Sequence, residues 1–311
     1  MSFVICDNSG VSQQLYVDRL KTLMPERKVQ IWPGEAHLPE GVKYALVWKP
    51  PAQLFETFKD IKAVFNLGAG VDALLDDQMV PDHLPIVRLI DPLLDRGMIE
   101  YVTWAVLRYH RLLHLYEGFQ TQNQWKPLAA TDARKTRVGI LGLGQLGQGC
   151  AEMLNRLNLH VMGWSRSPKD ITGVTSYHGE EGLNEMLAQS DILVCLLPLT
   201  SHTREILNAK LYAKLPHGAK VINVARGAHL IVEDTLAALE SGQLEHVTLD
   251  VFPTEPLAPD SPLWHHPQVT VTPHIASQTV PDSAIDTIVA NVQRLEAGEE
   301  PEGLVQRDHG Y

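Results

Sequence analysis

A chain of 311 residues, 44% hydrophobic and 20% charged, suffices for about two globular domains of roughly 150 residues each and is too apolar to stay disordered. Its 26 Lys and Arg against 37 Asp and Glu give a net charge of −11, which repels nucleic acid and anionic membrane while leaving room for a local basic patch that binds a small anion. Three scattered cysteines, Cys6, Cys150 and Cys195, are too few for a disulfide framework or a zinc site and read as small apolar residues in a reducing compartment.

The start of the chain lacks a basic region, and Asp7 interrupts its apolar run, so no export signal is expected. The longest wholly apolar stretch, 192–199, falls far short of the roughly 18 residues of a membrane span. A cytoplasmic protein follows.

In chain order, short β-rich apolar runs at 3–6, 29–32, 44–48, 63–66 and 86–89 predict a first series of strands. A second series is predicted at 137–141, 160–164, 192–196, 220–224, 247–250 and 269–271. Most are apolar on both faces, as strands of a helix-covered parallel sheet must be. Helical patterns between them predict an α/β chain with two doubly wound parallel-sheet domains. Between the series, 98–116 reads as one long helix, with Tyr101, Ala105, Leu112 and Leu115 among its apolar positions. At the far end Pro281 opens a helix whose Ile285, Ile288, Val289, Val292 and Leu295 share a stripe. This helix can return to the first series, so the expected domains are 1–97 plus 278–311 and, between them, 98–277.

The strongest local signal is the turn Gly142-Leu143-Gly144-Gln145-Leu146-Gly147, which follows an apolar strand and precedes a helical pattern at 148–157. Gly142 suits a tight turn, Gly144 lets backbone N–H groups approach a pyrophosphate, and Gly147 lets the helix pack close to the strand. The alternative is a glycine-rich turn without a ligand. The strand-turn-helix context favours a dinucleotide, with Gln145 and Leu146 at the helix start beside it. The next strand ends at Trp164-Ser165-Arg166-Ser167. An NAD site puts a carboxylate near here to accept from the ribose 2′-OH, and none is present. Arg166 can instead pair with a 2′-phosphate, with Ser165, Ser167 and Lys169 beside it, which favours NADPH over NADH. Pro198, after the strand at 192–196, belongs to the expected cofactor contacts; His202 and Arg204 follow it in the same loop.

Three later segments each bring one ionisable residue to the end of a strand: Arg226 in Val224-Ala225-Arg226-Gly227, Glu255 in Asp250-Val251-Phe252-Pro253-Thr254-Glu255-Pro256-Leu257, and His274 in Pro273-His274-Ile275-Ala276. Carboxyl ends of parallel strands are where open α/β sheets bind ligands. Singly, Arg226 is compatible with a loop cap, Glu255 with a surface ion pair and His274 with a core histidine; together they form a catalytic constellation.

Gly-x-Gly-x-x-Gly followed by Val-Ala-Arg-Gly, Asp-Val-Phe-x-x-Glu-Pro-Leu and Pro-His-Ile-Ala resembles the D-isomer-specific 2-hydroxyacid dehydrogenase family. The likeness runs from Leu67-Gly68-Ala69-Gly70-Val71-Asp72 to Ser277. Within the family, Ala45-Leu46-Val47-Trp48, Trp164-Ser165-Arg166 and Pro262-Leu263-Trp264 with His266-Pro267 are most similar to bacterial glyoxylate/hydroxypyruvate reductases of the A type. The resemblance implies a Rossmann dinucleotide-binding domain, a flavodoxin-like substrate domain that acts as a lid, and a homodimer built around the interdomain helix.

Reduction of a 2-keto acid needs a hydride at the carbonyl carbon and a proton at its oxygen. His274 is the expected proton donor, and Glu255 would hold its other ring nitrogen. Arg226 would grip the carboxylate and polarise the carbonyl. The resemblance further implies that backbone N–H groups near Gly70 and Val71 bind the carboxylate, that Trp48 closes the substrate side, and that Ala225 and Asp250 lie near the nicotinamide carboxamide.

His110 and His114, four apart on the long helix, lack an acidic third ligand and read as helix-surface or interface residues rather than a metal site. His265-His266 reads as a turn. Trp125-Lys126-Pro127 reads either as a reach toward a partner subunit or as a buried anchor in its own chain. The expected function is NADPH-dependent reduction of glyoxylate and hydroxypyruvate. The alternatives are a D-3-phosphoglycerate, D-lactate or formate dehydrogenase of the same family, or a dinucleotide-sensing binding module without catalysis.

Overall fold

The computed structural model describes residues 2–34, 41–75 and 79–307. The chain divides into two compact units, one formed by Asp95–Ser277 and the other by the residues on either side of that segment.

The first unit runs β1 (Ser2–Asp7), α1 (Gln13–Leu23), β2 (Lys28–Ile31), β3 (Val42–Trp48), α2 (Gln53–Thr57), β4 (Ala63–Asn66), α3 (Asp72–Leu75) and β5 (Ile86–Val87). Its strands are parallel in the order β2-β1-β3-β4-β5. Side chains alternate across a strand, so β1 sends Phe3 and Ile5 to one core and Val4 and Cys6 to the other. All six of its residues are buried, the mark of a strand covered on both faces.

From here α4 (Pro92–His110) and α5 (Leu113–Thr121) lead to the second sheet. The sequence predicts a single helix over 98–116; the structure breaks it at Leu112, whose φ of +57° is left-handed. Leucine is a good helix former and gives no local sign of a break. Across the break the Arg108 guanidinium forks onto Glu117 and the His114 ring lies against the Arg108 carbonyl, contacts that a continuous helix would not make.

The second unit continues with β6 (Arg137–Leu141), α6 (Gln145–Arg156), β7 (His160–Ser165), β8 (Val174–His178), α7 (Gly179–Leu187), β9 (Ile192–Cys195), α8 (Ala209–Tyr212), β10 (Ala219–Asn223), α9 (Val232–Glu240), β11 (Leu244–Leu249) and β12 (Val269–Val271). Among the described residues its sheet is parallel, ordered β12-β11-β10-β9-β6-β7-β8. Strand β8 is absent from the sequence-based reading. It is an edge strand of Val174-Thr175-Ser176-Tyr177-His178, only partly buried, and it lacks the apolar run that marks its neighbours. Helices α4 and α6 cover one face, around Val102, Val106, Ile140 and Leu154; α7 to α9 cover the other, around Met162, Leu187, Tyr212 and Leu239.

The sheet order runs one way from β6 to β8 and the other way from β9 to β12, so the strand order reverses between β6 and β9, the position at which open α/β sheets bind ligands. The final helix, α10 (Pro281–Glu296), packs on α1 in the first unit, where Asp286 pairs with Arg19 and Glu296 with Arg27. The two parallel-sheet α/β domains expected from the strand series are therefore present. No helix among the described residues is long and apolar enough to cross a membrane.

Candidate active site

The glycine turn lies between β6 and α6. Gly142 has a φ of +103°, and a Cβ there would lie 2.8 Å from the Leu196 carbonyl oxygen, where the loops after β6 and β9 meet. A Cβ on Gly147 would lie 1.8 Å from the Gly142 carbonyl oxygen. Gly144 differs: it caps α6 without a side-chain hydrogen bond, and a Cβ on it would meet nothing within 4 Å. Open space before the N–H groups of a helix start is a cradle that fits a phosphate. The Gln145 side chain turns back to Asp95 at 2.6 Å, leaving its backbone N–H to the helix start, and Leu146 is half-buried against the core.

At the end of β7, Arg166, Ser167 and Lys169 are exposed and Ser165 is buried. The Ser165 hydroxyl donates to the Ser167 carbonyl at 2.7 Å, stiffening the turn. After β9, the Pro198 carbonyl accepts from Thr203 Oγ1 at 2.6 Å and faces His229 Nε2 at 3.3 Å, while His202 and Arg204 are exposed.

Arg226 follows β10 and is fixed through its backbone. The buried Asn223 amide donates to the Arg226 carbonyl at 3.0 Å and accepts from Ala225 N–H. Arg226 N–H donates to His229 Nδ1 at 3.2 Å, so fully buried His229 carries its own proton on Nε2, toward Pro198. The guanidinium Nη1 donates to the Ala225 carbonyl at 2.7 Å. A Cβ on Gly227 would lie 1.8 Å from the Phe252 carbonyl carbon, so the loops after β10 and β11 are in backbone contact.

Glu255 and His274 meet directly, with Glu255 Oε2 2.9 Å from His274 Nδ1; Glu255 Oε1 accepts from the Phe252 N–H at 3.1 Å. Both side chains are partly exposed, 32% for His274 and 22% for Glu255. His274 has a φ of +56°, a left-handed conformation that costs a non-glycine residue about 1–2 kcal/mol. The turn is held by Asp250: its carbonyl accepts from His274 N–H at 2.8 Å, and its carboxylate accepts from the N–H groups of Ile275 and Ala276, each at 2.8 Å. Burial pushes the Asp250 carboxyl upward from its ordinary range, against these hydrogen bonds and the His274 charge. With Nδ1 engaged by a carboxylate, the plane of the His274 ring is fixed from the Glu255 side.

In the first unit, Trp48 ends β3, and its ring lies where a Cβ on Gly68 would come within 2.4 Å. Buried Asn66 donates to the carbonyls of Gly68 at 2.7 Å and Gly70 at 2.9 Å. Across a trans peptide the N–H points opposite to the carbonyl, so the Val71 N–H is turned away from Asn66.

Sequence reasoning missed Asn66, Asn223 and His229, which fix backbone rather than present reactive groups. Only their position at or just after strand ends could have signalled them. His110 and His114 are corrected: both are buried, the first beside Thr136 Oγ1 at 2.9 Å and the second paired with Glu245 at 2.9 Å, so neither is a helix-surface residue. Among the described residues no cluster of side chains could hold a metal ion. His266 does sit in a turn, its Nδ1 accepting from Gln268 N–H. Trp125 is 99% exposed, which rules out the buried-anchor reading.

Residues 103–276 match the family model for the NAD-binding domain of D-isomer-specific 2-hydroxyacid dehydrogenases. Glyoxylate/hydroxypyruvate reductase A of Yersinia enterocolitica is 44% identical over 301 residues, 95% of this chain and 96% of that protein. The crystal structure of a D-isomer-specific 2-hydroxyacid dehydrogenase from Xanthobacter autotrophicus Py2, in complex with NADPH and MES, is similar with a TM-score of 0.93 and 44% identity, covering 99% of each chain. An NADPH-dependent glyoxylate/hydroxypyruvate reductase from Sinorhizobium meliloti, in complex with NADP and sulfate, has a TM-score of 0.94 and 36% identity, covering 100% of this chain and 99% of that one.

Proposed function

The chain belongs to the D-isomer-specific 2-hydroxyacid dehydrogenase family, and we propose that it reduces glyoxylate to glycolate and hydroxypyruvate to D-glycerate with NADPH. The observation that carries this reading is the Glu255–His274 pair at 2.9 Å, on loops at the carboxyl ends of neighbouring strands, with Arg226 at the end of the next. The names of the Yersinia and Sinorhizobium relatives support the choice of substrates.

The cofactor fits the residues present. The open space before Gly144 and the start of α6, with the N–H groups of Gln145, Leu146 and Gly147, suits a pyrophosphate. Arg166, with Ser165, Ser167 and Lys169, suits a 2′-phosphate, Pro198 is assigned to cofactor binding, and Ala225 and Asp250 are assigned to the nicotinamide end. The similar Xanthobacter and Sinorhizobium proteins were crystallised with NADPH and NADP, which supports the preference. Asp95–Ser277 is accordingly the dinucleotide-binding unit, and the remaining residues form the substrate unit.

NADPH, when bound, supplies the hydride for the carbonyl carbon. His274 delivers a proton from Nε2 to the carbonyl oxygen, a step worth about 10²–10⁴ in rate. Glu255 orients the ring and offsets the positive charge of its protonated form. Arg226 grips the carboxylate and polarises the carbonyl, and the N–H groups of Gly70 and Val71 with Trp48 complete substrate binding. The proposal includes a cytoplasmic homodimer, for which Trp104, 44% exposed on α4, and Trp125 offer apolar surface.

Product analysis tests the reaction. Incubation with NADPH and each keto acid, followed by chiral chromatography, is expected to yield glycolate and D-glycerate. Absence of both products from a protein that binds NADPH would contradict it.

A further inference from the structure

The Asp250 carboxylate that grips the His274 turn is itself held from behind. Thr272 Oγ1 donates to Asp250 Oδ1 at 2.6 Å, and the Tyr101 hydroxyl lies 2.5 Å from the same Thr272 oxygen. The donors can be ordered. Both Asp250 oxygens already accept backbone N–H groups, so the carboxylate is an acceptor throughout. Thr272 has one hydroxyl hydrogen and spends it on Asp250, so the Tyr101 hydroxyl donates to Thr272. The chain runs from Tyr101 on α4, through Thr272 after β12, to Asp250 after β11, and ends at the N–H groups that follow His274. Burial pushes the Tyr101 phenol up to about 12, so it remains a donor at neutral pH.

We propose that Tyr101 and Thr272 are positioning residues for His274, acting through Asp250 to keep its turn left-handed and its ring on Glu255. Two successive N–H groups converging on one carboxylate form an anion-binding concavity, which grips about twice as strongly while the carboxylate is charged. Burial alone would neutralise Asp250. The groups acting against it are the Thr272 hydroxyl, the N–H groups of Ile275 and Ala276, and the His274 ring. Removing the Thr272 hydroxyl loosens the carboxylate's hold on both amides and makes its protonation easier. His274 then relaxes toward ordinary backbone geometry and leaves Glu255. The inference rests on the reductase reading for what His274 does in catalysis, but the placement of the ring stands apart from it.

The test compares Thr272→Val, Thr272→Ser and Tyr101→Phe with the wild-type protein. Readouts are kcat and KM for hydroxypyruvate with NADPH, the pH profile of kcat, and the His274 signal in a spectrum of ring-labelled histidines, identified by its loss in His274→Gln. Thr272→Val is expected to lower kcat about tenfold with KM little changed. It should move the acid limb of kcat up by about one pH unit and shift the His274 signal. Tyr101→Phe should lower kcat about threefold, and Thr272→Ser, which keeps the hydroxyl, should behave as wild type. Wild-type kcat, pH profile and ring signal in Thr272→Val would overturn the proposal, as would equal impairment in Thr272→Ser. The ring signal is read without substrate, so it decides the inference even if the wild-type protein reduces neither keto acid, a result that would instead overturn the reductase reading.

Discussion

Glu255 divides its carboxylate between two donors, with Oε2 at 2.9 Å from His274 Nδ1 and Oε1 at 3.1 Å from the Phe252 backbone nitrogen. Neither oxygen can leave without breaking a bond, so the loop after β11 fixes the imidazole plane. A glutamine has one acceptor oxygen for these two donors and no charge to offset an imidazolium. Glu255→Gln is expected to lower kcat about 10- to 100-fold with smaller effects on KM, and His274→Ala to lower it about 10²- to 10⁴-fold. Steady-state kinetics with NADPH and hydroxypyruvate decide; a Glu255→Gln enzyme with wild-type kcat would sink the pairing as a catalytic feature.

Arg226 is held by Asn223 and His229 through backbone atoms, and its loop abuts Phe252. The assigned task is a fork on a carboxylate, which a point charge does not reproduce. Arg226→Ala should therefore raise KM and lower kcat together, and Arg226→Lys should restore little of either. An unchanged KM in the alanine variant would remove the carboxylate-binding role.

The basic end of β7 makes a separate statement about the cofactor. Replacing Arg166 by Asp removes the proposed charge-assisted partner of the 2′-phosphate and adds repulsion. NADPH affinity should fall about 10- to 100-fold, with NADH affected much less. Equal losses for both cofactors, measured by fluorescence titration, would contradict the assignment.

Gly147→Ala forces a Cβ to within 1.8 Å of the Gly142 carbonyl oxygen, backbone that cannot move without opening the turn. The substitution should cost about 1–3 kcal/mol of stability from overpacking and abolish measurable NADPH binding. Gly144→Ala, whose Cβ meets only open space in the protein, should leave the melting temperature near wild type while weakening NADPH. A Gly144→Ala protein with full NADPH affinity would show that the cradle is not where the phosphates sit.

Loss of folding stability in acid should originate away from the catalytic loops. Burial, and then the nearby Arg108 and His114 charges, lower His246 from 6.5 to about 3, so it is neutral in the folded protein. Below pH 6.5 the unfolded chain takes up a proton that the folded chain refuses, and stability falls as pH drops through the window from 6.5 to about 3, by at most about 1.4 kcal/mol per pH unit. Glu245, lowered to about 2 by its bonds to His114 and Lys220, adds stability present above 4.5 that is lost as pH falls toward 2. His246→Gln should flatten the dependence of Tm on pH between 6 and 4.5. An unchanged slope would show that His246 does not set it.

What the sequence made legible was local. The glycine turn, the missing carboxylate after Trp164, and the strand ends carrying Arg226, Glu255 and His274 are short motifs whose chemistry lies within a few residues. The rest depends on contacts that lie beyond any short motif. The long helix breaks at Leu112, and across the break Glu117 and His114 meet Arg108 in contacts that no helix propensity records. Strand β8 is too polar to announce itself and exists because β7 offers it an edge. Thr272 looks like an ordinary residue before a proline until Tyr101, 171 positions earlier, is found against its hydroxyl.

The most direct measurement is the initial rate of NADPH consumption with glyoxylate and with hydroxypyruvate, each repeated with NADH. A reductase of the proposed kind turns over both keto acids and works faster with NADPH than with NADH at subsaturating cofactor. No turnover of either keto acid, by a protein that binds NADPH tightly, would contradict the assignment of Arg226, Glu255 and His274 to this reaction.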